Sequence, residues 1–196
     1  MAYNFNPAFE QALPYASYLS HHATDQQRAR WDRMYEQVAL TQNQQELLRG
    51  FKRQMRVLCV SGTWCGDCSN ACPILARFAE IAPCIDLRFI QHPSHSNGPG
   101  SLNSALMDEL SICGGARVPV GVFMSEDGYE CGRFGDRTLA TYRAKVAAME
   151  GPSCPIGVTA PDNLHAENVR EWLEQFERIQ LMLQTSPRLM QRYALE

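Results

Sequence analysis

The chain has 196 residues, 45% hydrophobic and 20% charged, with a formal net charge of −3. That is the make-up of a soluble globular protein large enough for one domain with extensions. It argues against nucleic acid or a membrane as partner, because there is no basic excess and no run of roughly 18 apolar residues.

From Met1 to Ser20 there is neither a basic start nor an apolar run, so no secretory signal is read and a cytoplasmic protein is expected. Residues 1 to about 55 carry helical patterns. Thr24-x-x-Gln27 and Thr41-x-x-Gln44 fit capping boxes. Tyr15, Tyr18 and Leu19 form a short helical face, Trp31, Met34, Tyr35 and Val38 a second, and Leu47, Leu48 and Phe51 a third. Such stripes are read as packing.

Val57 to Val60 is a short β-prone run, followed by helical spacing from Cys68 to about Ala82. Ile85 to Ile90 reads as a second strand, His92 to Gly100 as a loop and Leu102 to Ile112 as a helix. Val118 to Met124 and Tyr129 to Phe134 flank a turn at Ser125 to Gly128, and a helix covers Thr138 to Met149. Strands separated by helices imply parallel pairing, with the hairpin adding an antiparallel edge. A linker from Gly151 to Pro161 leads to a final helix from about Asp162. Its stripe of Val169, Trp172, Leu173, Phe176, Ile179 and Leu183 must dock on something. The division expected is 1–40 as a helical extension, 41–150 as an α/β domain, and 151–196 as linker and C-terminal helix. Glu126, Asp127, Glu171 and Glu174 read as solvated charges, and His92 and His95 as exposed loop residues.

Eight cysteines are too few for a disulfide scaffold, and in a reducing compartment they are buried thiols, metal ligands or redox catalysts. Cys59, Cys65, Cys68 and Cys72 crowd into one stretch. Cys65-Gly66-Asp67-Cys68 follows a predicted strand and opens a predicted helix. Cysteines three apart there share a face, and the first sits beside unsatisfied N–H groups at the positive end of the helix dipole. Lowering a thiol from about 8.5 to about 7 needs roughly 2 kcal/mol, which a helix terminus supplies. Cys65 is thus expected as the attacking thiolate and Cys68 as the resolving thiol. Asp67 opposes thiolate formation, so a reducing couple is expected, nearer about −270 mV than about −120 mV.

Other readings are weaker. A zinc site lacks a second Cys-x-x-Cys, and an iron–sulfur run would need a cysteine where Gly62 stands, so no metal or cofactor is expected. Cys59 and Cys72 read as core residues. Trp64 reads as an apolar rim shielding the thiols.

Thr63-Trp64-Cys65-Gly66-Asp67-Cys68, Pro73 in the following helix, and Arg117-Val118-Pro119 before a strand together resemble the thioredoxin superfamily over about residues 40 to 150. Within it, the chain is similar to bacterial members with a Trp-Cys-Gly-Asp-Cys motif and helical extensions. The resemblance implies a three-layer α/β/α sandwich with a mixed sheet of about four strands. It also implies a kink at Pro73, a cis Pro119 that packs on the disulfide, and catalytic roles for Trp64, Cys65, Asp67, Cys68 and Pro119. Gly66, Arg117 and Val118 become the expected substrate contacts. The implied partners are a protein or small-molecule disulfide and a reductant, either thioredoxin reductase or a low-molecular-weight thiol. One departure stands out: six residues before the first motif cysteine, where thioredoxins place a buried Asp, this chain has Cys59. Either Asp67 or water then takes the proton, or resolution by Cys68 is slower. The competing class is a redox sensor or adaptor that binds a partner without turnover.

Overall fold

The computed structural model describes residues 3–92, 104–149 and 158–193. His95, Cys154, most of the predicted His92–Gly100 loop and much of the 151–161 linker lie outside them, as does the predicted start of the helix at Leu102. Four short helices open the chain: α1 (Asn6–Gln11), α2 (Tyr15–His22), α3 (Asp25–Glu36) and α4 (Gln42–Arg49). Thr24 and Thr41 cap α3 and α4 in complete capping boxes, each Thr hydroxyl accepting an N–H while the Gln three residues on returns the favour.

The centre alternates β1 (Met55–Ser61), α5 (Gly66–Ile81), β2 (Ile85–Gln91), α6 (Ser104–Glu109), β3 (Val120–Ser125) and β4 (Glu130–Gly135), then α7 (Leu139–Ala147). The four strands form one mixed sheet in the order β2-β1-β3-β4. β1 and β2 are parallel, joined by the crossover helix α5. β1 and β3 are antiparallel, which corrects the expectation that only the hairpin departs from parallel pairing. The reason is the return path: Gln91 ends β2 opposite Ser61, and Val120 begins β3 opposite Val60. The chain thus leaves and re-enters the sheet at the same end, and the short α6 makes no crossover.

Side-chain alternation assigns the faces. Cys59 stands opposite Gly121, and a Cβ at Gly121 would touch Trp172 of α8 (Leu164–Gln184) at 3.6 Å, so α5 and α8 share that face. Phe176 of α8 meets Phe78 edge-on at 5.3 Å and Phe123 at 5.0 Å. On the opposite face Phe9 and Phe5 lie under the guanidinium groups of Arg88 and Arg133. β1 is buried along nearly its whole length because both faces are covered. At the β2 edge, Leu13 exchanges two backbone hydrogen bonds with Phe89 (2.9 and 2.7 Å), closing part of an otherwise open edge.

The final helix buries the whole predicted stripe against α5, α7 and β4, then breaks at Thr185 and restarts as α9 (Pro187–Arg192). Three charges read as solvated are structural instead. The Glu171 carboxylate accepts the N–H groups of Leu139 (2.6 Å) and Ala140 (2.8 Å), capping α7 from a neighbouring helix. Glu126 pairs at 3.1 Å with the buried Arg53, which also donates to the Tyr193 carbonyl at 2.5 Å. Asp127 is bound by Arg188, whose hydrogen bond holds the carboxyl below its ordinary range. A sequence pattern sees only that these residues are charged; their partners are brought in from distant elements. Glu171→Ala is expected to cost about 1–2 kcal/mol, seen as a lower urea midpoint at unchanged slope.

Candidate functional site

Strand β1 ends at Ser61, and the loop Gly62-Thr63-Trp64 delivers Cys65 to the N-cap of α5. The Cys65 sulfur takes the place that a Ser or Asp oxygen usually fills: it accepts the Cys68 N–H at 3.4 Å. Cys65 is partly exposed, whereas Cys68, one turn inward, is fully buried and its sulfur accepts the Gly62 N–H at 3.3 Å. Across from them, the Val118 carbonyl lies 3.8 Å from the Cys65 sulfur, and the Val118–Pro119 bond is cis. Gly135 closes the far side. Its φ of +145° favours glycine, and a Cβ there would come within 2.3 Å of the Pro119 carbonyl oxygen. Cys65, Cys68 and the Val118–Pro119 segment thus meet at one end of the sheet, with Trp64 and Gly66 beside Cys65 in the chain.

The two thiols titrate as a pair. Cys65 is pushed up, chiefly by its hydrogen bond to Cys68 and then by burial. Cys68 is pulled down: burial opposes its thiolate, but hydrogen bonds from Cys65, Cys72 and the Gly62 N–H outweigh that opposition. The hydrogen bonding of the pair thus favours charge on the inner sulfur, while the helix N-terminus favours it on the outer one. Exposure nevertheless leaves Cys65 as the sulfur a substrate can reach. Moving the shared proton from Cys65 to Cys68 makes the outer thiolate without taking a charge from water.

Asp67 is ion-paired. Its carboxylate meets Arg137 at 2.6 Å and Lys145 at 3.7 Å. Arg137 also binds the buried Asp136 at 3.1 Å, and Asp136 takes in addition Arg117 (3.4 Å) and the Tyr142 hydroxyl (2.5 Å). Arg117 is therefore tied into this network, and the negative charge expected to oppose the thiolate is compensated. Nothing in the local sequence singles out Arg137; its approach to Asp67 is set by the turn after β4.

The N-terminal helices grip the loop itself. The Thr63 carbonyl accepts from the Trp31 indole N–H and from Arg30, both at 3.0 Å, and Arg30 reaches the Cys65 carbonyl at 3.4 Å. The Gln91 side-chain oxygen accepts the Thr63 N–H (3.3 Å) and the Tyr18 hydroxyl (2.5 Å), and Ser61 donates to that hydroxyl at 2.9 Å. Trp31 and Tyr18 read as packing in the sequence; they pack and also fix the loop. The Trp64 ring is 41% exposed and lies over Gly62, where a Cβ would come within 2.7 Å of the indole. Its edge meets His92 at 6.3 Å. His92, expected to be exposed, has both ring nitrogens buried without a hydrogen-bond partner among the described residues, and burial lowers its basicity. Behind Cys68, the sulfurs of Cys72 and Cys59 are fully buried and 3.9 Å apart.

A family model described as thioredoxin matches residues 13–150. The chain belongs to the thioredoxin family. With the family comes a thiol redox role of the general redox-enzyme kind, and its members act on protein disulfides with a reductant. Among solved structures, a protein of unknown function from Pseudomonas aeruginosa is similar at 18% identity and a TM-score of 0.63. That match covers 93% of this chain and 98% of the other. An HIV epitope-scaffold is similar at 18% identity and a TM-score of 0.64, over 90% and 97% of the two chains. Both similarities show the fold. No curated protein matches the sequence. Among the described residues no helix is long and apolar enough to cross a membrane.

Two outcomes follow for the site. Trp31→Phe keeps an aromatic side chain but removes the donor to Thr63 and shrinks a fully buried group, and should cost about 2–3 kcal/mol while speeding hydrogen exchange in residues 62–65. Arg137→Gln removes the nearer of the two cations on Asp67 and leaves only the longer Lys145 contact. The pH at which the thiols become alkylated by iodoacetamide should then rise by about half a pH unit, and Asp67→Asn in the same chain should restore it.

Proposed function

We propose that this family member reduces protein disulfides through a Cys65/Cys68 couple, with Cys65 attacking and Cys68 resolving. The observation that carries the reading is the unequal exposure of two thiols on one helical turn, the outer one accepting the inner one's backbone N–H: the outer is reachable, the inner is sealed behind it. The Cys65 thiolate attacks one substrate sulfur, forming a mixed disulfide and releasing the other substrate sulfur as a thiolate that takes up a proton. The Cys68 thiolate then attacks the Cys65 sulfur. The Cys65–Cys68 bond forms, the substrate sulfur leaves with the electron pair, and it too is protonated. Substrate gains two electrons and two protons; the couple loses the two electrons and its one thiol proton, and solvent supplies the other proton.

Roles for the surroundings follow. Trp64 supplies an apolar rim, Gly66 leaves the approach to Cys65 open, since a Cβ there would meet nothing within 4 Å, and Val118–Pro119 offers backbone to the bound chain. Arg117 and Asp67 act through the ion-pair network beside the thiols, as positioning residues. In this reading residues 41–150 form the catalytic domain, flanked by 1–40 and 151–196. The setting is the cytoplasm, and the couple is recharged by thioredoxin reductase or a low-molecular-weight thiol. The couple is a reducing one: with Arg137 and Lys145 occupied by Asp67, neither is left to stabilise the thiolates as a free cation.

Insulin reduction in the presence of dithiothreitol tests this. Wild type should turn over, Cys65→Ser should not, and Cys68→Ser should trap a mixed disulfide with substrate. Equilibration with glutathione should give a potential below the range of about −200 to −230 mV typical of glutaredoxins. Redox-dependent partner binding without turnover would move the reading to a sensor.

A further inference from the structure

The cysteine cluster does not stop at the exposed couple. Behind Cys68 lie two more thiols that the proposed reaction leaves idle. Cys72 is one turn further along α5, on the face turned to the sheet, and Cys59 stands on β1 directly below it. Both are completely buried. Their sulfurs are in contact at 3.9 Å, and Cys72 follows Cys68 by four positions on α5, the spacing that sets side chains one above the other on a helix face. The sulfurs therefore run as a continuous file from the surface into the core: Cys65, Cys68, Cys72, Cys59. Among the described residues no group of three or more His, Cys, Asp or Glu is arranged to hold a metal ion.

We infer that Cys59 and Cys72 form a second, internal redox couple, loaded from the first by disulfide exchange through Cys68. The inference rests on the Cys65/Cys68 reading and extends it. Once substrate has been reduced and Cys65–Cys68 is oxidised, Cys72 is the thiol placed behind the inner sulfur of that bond. The Cys72 sulfur attacks Cys68. The Cys72–Cys68 bond forms, the Cys65–Cys68 bond breaks, and Cys65 leaves with the electron pair and takes the proton that Cys72 gives up. Cys59 then attacks Cys72. The Cys59–Cys72 bond forms, Cys72–Cys68 breaks, and Cys68 receives the electron pair and the Cys59 proton. Both steps are internal exchanges, so they need no outside oxidant. Their product has its surface couple reduced again and its oxidation stored in the core.

Local structure favours the movement this requires. Bonding the core pair closes the sulfur gap by about 2 Å. Pro73, next to Cys72, has no N–H to give to the Ser69 carbonyl, so the helical ladder is already open at that turn. Complete burial confines attack to neighbours in the file, because no external thiol reaches Cys72.

The test uses the full chain, completely reduced and freed of reductant, then treated with excess diamide, which takes two electrons and two protons for each disulfide formed. Thiols left after denaturation are alkylated, and the peptide from Val57 to Arg77, which holds all four cysteines, is fragmented and weighed. Wild type should lose both pairs, twice the loss of Cys72→Ala or Cys59→Ala, which should form Cys65–Cys68 alone. Retained formation of that first bridge shows that these variants are folded. In Cys65→Ser the file has no entrance, and Cys59 and Cys72 should remain thiols. If wild type stops at Cys65–Cys68, or if the core pair oxidises as fast in Cys65→Ser as in wild type, the relay is overturned while the surface couple stands. Failure of wild type to form Cys65–Cys68 at all overturns the functional reading beneath it, and the relay with it.

Discussion

The site depends on one backbone carbonyl. Between the end of β1 and the start of α5 the chain must turn sharply, and the carbonyl of Thr63 is left without a partner in either element. It is buried, so water cannot serve it, and an unmade hydrogen bond there costs more than a made one contributes. Two donors from α3, the Trp31 indole and the Arg30 guanidinium, converge on it. With that oxygen fixed, the loop has one conformation, Cys65 is held at the helix cap, and the Gly62 N–H is aimed at the Cys68 sulfur. The loop and both thiols are thus positioned by a helix that precedes the sheet.

The C-terminal helix plays the corresponding part at the other side. Besides its apolar stripe it spends two polar side chains on backbone and a third on hydroxyls. Glu171 caps α7, Gln180 clasps the entry to β1 through the Arg53 N–H and carbonyl, and Asn168 accepts from the Thr138 and Thr141 hydroxyls. α7 in turn carries Lys145 and Tyr142 to the charges around Asp67 and Asp136. Electrostatic conditions beside the thiols are consequently set through α7 by α8, which touches neither sulfur.

Elements with strong local signals were legible in the sequence. The two capping boxes, the β-rich run at Val57–Val60, the hairpin at Ser125–Gly128 and the stripe of α8 all state their structure in consecutive residues. So does the Cys-x-x-Cys pair, because strand, turn and helix start adjoin it in the chain. What the sequence withheld are relations between distant segments. The direction of β3 depends on which end of the sheet the chain re-enters, a property of the path rather than of any residue in Val120–Ser125. Glu171 and Asp127 look like ordinary surface acids until α7 and α9 are brought against them. Trp31 fits an apolar face so well that its one polar atom passes unnoticed. The Gly62 N–H that meets the Cys68 sulfur, and the Cys59 thiol beneath Cys72, likewise come together only in the fold.

Arg53 carries a consequence for how the chain is built. Its guanidinium is sealed in the interior, and its partners are Glu126 and the main chain at Tyr193. Glu126 supplies the countercharge from the hairpin, and the Tyr193 carbonyl adds a second acceptor 140 positions further along the chain. The thiol site is assembled from residues 18 to 145, and this buried cation joins the strand that leads into it to segments on its C-terminal side. Removing either partner would leave a guanidinium in the interior with its charge or its donors unanswered, so the hairpin and the chain around Tyr193 bear on the stability of β1 although neither lies at the thiols.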